Sequence, residues 1–279
     1  MTGLFDGLFD DAALFPPGDA PMAVAVPAHR ELNARLGSLV GPLVVPVTRL
    51  DEFLPELRDG DQIAVSLIAT VDDLPSAVAR AVADPRLTPS AVEVAGVTYG
   101  RTAATAVQVL GDILPSGMTA AVELPRTGAR DVVLDALTGT GHRAKLRTGG
   151  PRAELFPDAA ELTGTLHACA VRKIAFKCTA GLHHAVQHTD PATGFAHHGF
   201  LNLLLAADAL AADAPASAAA DWLHEDRPGV LGAYVTNWPA DRIARARAAF
   251  TSFGTCSVLE PVDDLVALGL LPFQEECPA

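Results

Sequence analysis

Two stretches carry the side chains best suited to chemistry. Residues 142–150 read His-Arg-Ala-Lys-Leu-Arg-Thr-Gly-Gly, and residues 173–184 read Lys-Ile-Ala-Phe-Lys-Cys-Thr-Ala-Gly-Leu-His-His. Each has the grammar of a buried strand that runs into a glycine-bearing loop. Side chains alternate faces along a strand. Lys145 and Arg147 therefore share a face opposite Ala144 and Leu146, and Ala175, Lys177 and Thr179 share one opposite Phe176 and Cys178. Upstream, Glu93 lies opposite Val92 and Val94, and Glu123 opposite Val122 and Leu124. If the apolar faces meet covering helices, all these charges point to one interior. Burying them is costly and pairing makes it tolerable, so structural ion pairs would satisfy that requirement alone. Four successive strands supplying charge exceed what stability asks, which favours a functional cluster.

A lysine beside another cation in a low-dielectric pocket loses proton affinity and becomes an amine nucleophile at neutral pH. It can form a Schiff base with a carbonyl compound while a carboxylate or second lysine moves protons. In this reading Lys177 is the Schiff-base amine. Lys145 depresses its pKa or holds a transferred proton, Glu123 shuttles protons, and His183 assists. Arg147, Thr148 and the backbone amides of Gly149 and Gly150 would hold an anionic group, because glycines let donors approach closely. Glu93, Thr179, His184 and Asn202 complete the expected substrate-binding set. A plain strand-to-loop turn is the competing account of the glycine pair.

A second cluster is histidine-rich: His183, His184, His188, His197 and His198 fall within sixteen residues. His184 and His188 are spaced i, i+4, but the segment His-Ala-Val-Gln-His lacks the glutamate of HExxH. Two of these histidines with Glu93 or Glu123 would make an open metal site for a hydrolase or lyase. Two adjacent lysines would repel the dication. Solvated loop residues and helix caps are the structural alternative. A third reading is a non-catalytic protein whose cationic pocket only holds an anion.

The elements that must position these groups follow a βα rhythm. Strands are expected at 42–48, 62–69, 91–97, 119–124, 143–148 and 174–179. Helices are expected at 50–57, 72–84, 101–113, 127–138 and 158–170, with Asp72 or Asp73 near a cap. Near-continuous apolar strands alternating with helices indicate a parallel sheet covered on both sides. The first 21 residues end in Phe-Pro-Pro-Gly-Asp-Ala-Pro, a rigid entry loop, and 22–36 reads as a helix interrupted by Pro27. Beyond the sixth strand come a helix from Phe200 to Leu210, short strands at 222–224 and 230–236, and helices at 239–250 and 261–268. The expected architecture is a single-domain α/β (β/α)8 TIM-like barrel, irregular in its last two strands, with an N-terminal extension of about forty residues. An open doubly wound sheet is the alternative. Neither GxGxxG nor GxxxxGK[ST] occurs, so dinucleotide and P-loop readings have little support.

On this frame the chain resembles the class I, Schiff-base aldolases and lyases built on (β/α)8 barrels. In several of them the reactive lysine lies on the sixth strand, where this count puts Lys177. Residues 145–150, Lys-Leu-Arg-Thr-Gly-Gly, are similar to the Lys-Thr-Ser-Thr-Gly turn of deoxyribose-phosphate aldolases. The resemblance covers about a dozen residues and departs from the pattern at the fourth strand's end, where no Asp stands. It implies an enzyme of small-molecule metabolism, a lyase or isomerase needing no cofactor.

Composition narrows the partners. The chain has 279 residues, 49% hydrophobic, enough for a sizeable single core. Its formal net charge of −13 argues against nonspecific binding to nucleic acid or anionic membrane. No apolar run is long enough to span a bilayer. Cys169, Cys178, Cys256 and Cys277 show neither CxxC pairing nor zinc-ribbon spacing, which suits reduced thiols in a cytoplasmic protein. Cys178 is expected in the core. Cys256 has no partner histidine identifiable by spacing, and Trp222 and Trp238 read as packing anchors. The expected partner is a small anionic metabolite, and a homo-oligomer is compatible with this reading.

Overall fold

The computed structural model describes residues 3–97, 100–126 and 128–272; Cys277 lies outside them. Eight parallel strands close into a barrel: β1 (Phe9–Asp11), β2 (Val40–Pro46), β3 (Ile63–Ala69), β4 (Leu87–Val94), β5 (Thr119–Glu123), β6 (Arg143–Arg147), β7 (Phe176–Thr179) and β8 (Phe250–Thr255). Each hydrogen-bonds its neighbour in order, and β1 closes the ring against β8 through the pairs Phe9–Phe253 and Asp11–Thr255. Helices α1 (Met22–Leu36), α2 (Leu50–Phe53), α3 (Leu74–Ala83), α4 (Gly100–Ile113), α5 (Arg130–Leu137) and α6 (Ala159–Val171) follow the first six strands. Four helices then intervene before β8: α7 (Phe200–Ala211), α8 (Ala216–His224), α9 (Pro228–Val235) and α10 (Ala240–Ala249). The last helix, α11 (Leu259–Ala267), packs after β8. This is the α/β (β/α)8 TIM-like barrel anticipated from the βα rhythm.

The alternation of the strands produces two shells. Leu43, Val45, Val65, Leu67, Val92 and Val94 join the helix-facing core. There Phe200 stacks on Phe253 and Phe9 meets both edge-on, with centroids 5.3–5.7 Å apart; burying each such ring contributes about 1.5–3 kcal/mol. α6 begins on Asp158, whose Oδ1 accepts from Glu161 N at 2.8 Å, a side-chain cap of the usual kind. Asp73 precedes α3 but makes no such bond. α1 spans Met22–Leu36 as expected, but Pro27 does not interrupt it: the helix is continuous through the proline.

Three expectations need correcting. The first barrel strand lies inside the stretch read as an N-terminal extension; it is only three residues long and sits between Gly7 and the turn at Ala13. The segments 222–224 and 230–236 are helical, within or overlapping α8 and α9. Alanine favours helix over 216–220, and Pro228 fits the first turn of α9. The eighth strand is instead Phe250–Thr255. Counting β1, Lys145 stands on the sixth barrel strand and Lys177 on the seventh.

Between β7 and α7, residues 188–189 and 196–197 pair as a small antiparallel hairpin. Trp222 packs on Tyr234 and Trp238 under the Arg242 guanidinium, the anchoring roles expected of both tryptophans. No helix among the described residues is long and apolar enough to cross a membrane.

Candidate functional site

The inward residues of β4 to β7 are placed by register. Glu123 pairs with Lys145 across β5–β6, and Lys145 with Lys177 across β6–β7. Glu93 is the hub. Lys177 Nζ lies 2.5 Å from its Oε1, and Lys145 Nζ lies 2.9 Å from its Oε2. Ser66 on β3 also donates to Oε1, at 3.1 Å. Lys145 meets Glu123 Oε2 at 3.3 Å, and Arg147 meets Glu123 Oε1 at 3.2 Å. Glu93, Lys145 and Lys177 are each at least 97% buried, whereas Arg147 is one-third exposed at the rim.

Asp10 was missed by the sequence reading. It points inward from β1, accepts from Lys177 Nζ at 2.6 Å and from Ser252 Oγ at 2.8 Å, and is almost wholly buried. Its neighbour Asp11 faces outward and meets His29 Nδ1 at 2.9 Å. The only signal was the repeated Leu-Phe-Asp at 4–6 and 8–10, apolar pairs each followed by a carboxylate.

Burial works on these charges in different directions. It pushes Asp10 up, and the Lys177 ammonium does not pull it back to its ordinary value. Burial also opposes charge on Glu93, but Lys145 and Lys177 outweigh it and hold that carboxyl below its usual range. For Lys177, burial disfavours the ammonium, yet Asp10 and Glu93 prevail and raise it. The expected depression of Lys177 by Lys145 is therefore overturned: the intervening carboxylates screen the lysines from each other. Lys177 is thus flanked by two carboxylates, Asp10 and Glu93, that favour its ammonium form.

Glu93, Lys145 and Lys177 floor a cavity of about 270 Å³ at the C-terminal ends of the strands, where barrel sites form. Glu93, Glu123, Lys145, Arg147, Lys177, Thr179, Gly150 and His183 all line it. Four expected ligands do not. Thr148 is buried and its Oγ1 donates to Ala180 O at 2.5 Å, stitching two loops together. Gly149 serves close packing, since a Cβ there would lie 2.7 Å from Gly181 Cα and 2.8 Å from Phe156. His184 turns to Asp264 at 3.2 Å. Asn202 is fully buried: its Nδ2 donates to Trp222 O and Glu225 O, and its Oδ1 accepts from Gln187 N.

The histidines build the surrounding loops. His183 Nδ1 lies 2.9 Å from Glu260 Oε2, so adjacent histidines engage Glu260 and Asp264, four apart on α11. His188 stacks on His197, whose Nδ1–H donates to Gly181 O. Buried His198 donates from Nε2 to Pro157 O at 2.8 Å. Among the described residues, no three His, Cys, Asp or Glu side chains converge to hold a metal. Cys178 is in the core as expected, its thiol pushed up by burial. Cys256 lines the cavity with Sγ 3.9 Å from His183 Nδ1. That same nitrogen faces Glu260, and burial raises the thiol, so the pair is not arranged as an activated nucleophile.

Fold and site together define a (β/α)8 barrel with a buried carboxylate–lysine network beneath a small cavity. No protein-family model, curated protein or solved structure matches this chain.

Proposed function

We propose that the chain is a Schiff-base lyase or isomerase acting on a small carbonyl compound. One observation carries the reading: two lysines on adjacent strands share a single carboxylate at the floor of an accessible cavity. The roles of the lysines are exchanged relative to the expectation from sequence. Lys177, clamped by Asp10 and Glu93, suits a proton donor. Lys145 has the longer contacts, 2.9 and 3.3 Å, and stands on the sixth strand, where the resemblance to Schiff-base barrels puts the reactive amine.

In the proposed sequence Lys145 gives a proton to Glu123 and its nitrogen bonds to the carbonyl carbon. The oxygen takes one proton from that nitrogen and one from Lys177, then leaves as water, and a protonated imine remains. The proton left on Glu123 then passes through the released water to Lys177, and Asp10 with Glu93 holds the restored ammonium. Arg147 and Gly150 at the rim would hold a carboxylate if the compound carries one. The unpaired thiols of Cys169, Cys178 and Cys256 support a reducing, cytoplasmic setting.

The test is borohydride trapping read by intact mass, with small aldehydes, keto acids and sugar phosphates. An adduct in wild type that is lost in Lys145→Ala and slowed in Lys177→Ala is the expected result. Ligand stabilisation with no adduct in any arm would replace the enzyme with a protein that only holds its ligand.

A further inference from the structure

The two sides of the cavity differ in kind. The β4–β7 side carries Glu93, Glu123, Lys145, Arg147 and Lys177, while the described lining from β1 to β3 is Ala12, Phe15, Pro16, Val44 and Ile68. Among the described residues no hydroxyl, amide or charge enters the lining from that second arc; Asp10, inward on β1, is not part of the lining and is bound to Lys177 and Ser252. The one inward polar side chain on β3, Ser66, lies deeper and is bonded to Glu93. Val44 and Ile68 are inward by register and stand outside the helix-facing core formed by their strand neighbours Leu43, Val45 and Leu67. Ile68 is only partly buried. Its exposed apolar surface therefore faces the cavity instead of packing against a helix.

The charged arc is already balanced. Asp10, Glu93 and Glu123 oppose Lys145, Arg147 and Lys177, each cation within 3.3 Å of a carboxylate. A phosphate dianion would have to displace one of those carboxylates. A sugar chain would bring hydroxyls to an arc that cannot bond them, and desolvated, unpaired hydroxyls are costly. The cavity, about 270 Å³, is below the usual range of about 300–1,000 Å³ for ligand pockets, so the occupant is compact.

Resting on the Schiff-base reading, we infer that the substrate is a carbonyl compound with a compact apolar substituent, not a polyol phosphate. Its carbonyl meets Lys145, and its aliphatic or aromatic group lies against Val44, Ile68 and Phe15. Specificity is then set by β2 and β3, which contribute nothing to the chemistry.

The experiment compares two aldehydes, 2-methylpropanal and glyceraldehyde 3-phosphate, in borohydride trapping by wild type, Ile68→Asn and Val44→Thr. Thermal melts establish that each variant is folded. Wild type should trap 2-methylpropanal at a concentration at least about tenfold lower, the discrimination expected of a few apolar contacts. Ile68→Asn should erase most of that preference, with Val44→Thr a milder second variant. Equal or better trapping of the phosphate compound overturns the inference and leaves the Schiff-base reading standing. If neither aldehyde is trapped, the Schiff-base reading falls. The same pair is then compared by thermal shift: stabilisation by 2-methylpropanal alone upholds the apolar arc as the recognition surface, and its absence overturns that too.

Discussion

Lys145 and Lys177 stand opposite each other in the β6–β7 ladder, yet each ammonium meets a different oxygen of Glu93. One carboxylate thus serves two cations, and each lysine has a second anion on its far side, Glu123 or Asp10. The two lysines are equally buried and differ in their second partner, Glu123 for Lys145 and the deeply buried Asp10 for Lys177.

Removing the hub should therefore be the most damaging change in the barrel interior. Glu93→Gln leaves two buried ammonium groups sharing a neutral amide. Breaking a buried pair costs about 3–5 kcal/mol, to be read as a lower urea midpoint. Arg147→Ala removes a pair that is one-third exposed on the arginine side. Solvent screening limits that loss to roughly 1 kcal/mol or less. Equal losses in the two variants would show that Glu93 is not the hub.

Asp10 should matter to rate more than to binding. Asp10→Asn preserves the shape and the Ser252 contact but removes one of the two carboxylates that hold Lys177, the proposed proton donor. General acid–base partners contribute about 10²–10⁴-fold. Trapping in Asp10→Asn should slow by at least about a hundredfold, with little change in the half-saturating aldehyde concentration. A rate within a fewfold of wild type would show that proton donation by Lys177 does not depend on Asp10.

Much of this is legible in the sequence, and the gaps have physical causes. Six strands announced themselves through apolar alternation, and with them the inward Glu93, Glu123, Lys145, Arg147 and Lys177. β1 did not, because three residues cannot establish a period, and Asp10 went unread with it. β8 directly follows α10, and its inward Ser252 and Gly254 dilute the apolar signal. Thr148, His184 and Asn202 sit in loops or at a helix start, where residue type does not say whether a side chain turns toward the cavity or back to backbone. The strand miscount also misplaced the lysines, since one unseen strand shifts every ordinal after it.

Acid should loosen the loop beyond β7. Burial depresses both His197 and His198 below the ordinary histidine value of 6.5. The folded state keeps them neutral while the unfolded chain takes up protons from about pH 6.5 downward, so falling pH favours unfolding. Their contribution is complete above that value and is lost as pH falls through the depressed ones. Melts between pH 7.5 and 5 should show a smaller drop for His198→Gln, whose amide can still donate to Pro157 O. The same drop in both proteins would remove His198 from the account.

The two loops that frame the cavity meet through glycine. Gly181 has φ +76°, and a Cβ there would lie 2.9 Å from Thr148 O and 2.8 Å from Gly149 Cα. Gly181→Ala combines left-handed strain with a backbone clash. A cost above about 1 kcal/mol is expected, with weaker trapping because the Gly150 rim moves. Gly194→Ala, also at positive φ but with open space around it, should lose stability without changing trapping. If both variants trap like wild type, the glycine contact does not shape the cavity.

Asn202 separates a ligand role from a structural one. Its amide joins the chain at Gln187 to the end of α8 through three hydrogen bonds of 2.7–2.8 Å. Asn202→Ala leaves Gln187 N, Trp222 O and Glu225 O without that partner. Each buried unsatisfied group costs about 1–3 kcal/mol, so the melting temperature should fall sharply. Because the side chain lies outside the cavity, the fraction still folded at low temperature should trap aldehyde with the wild-type half-saturating concentration. A raised concentration in a variant of undiminished stability would return Asn202 to the substrate-binding set.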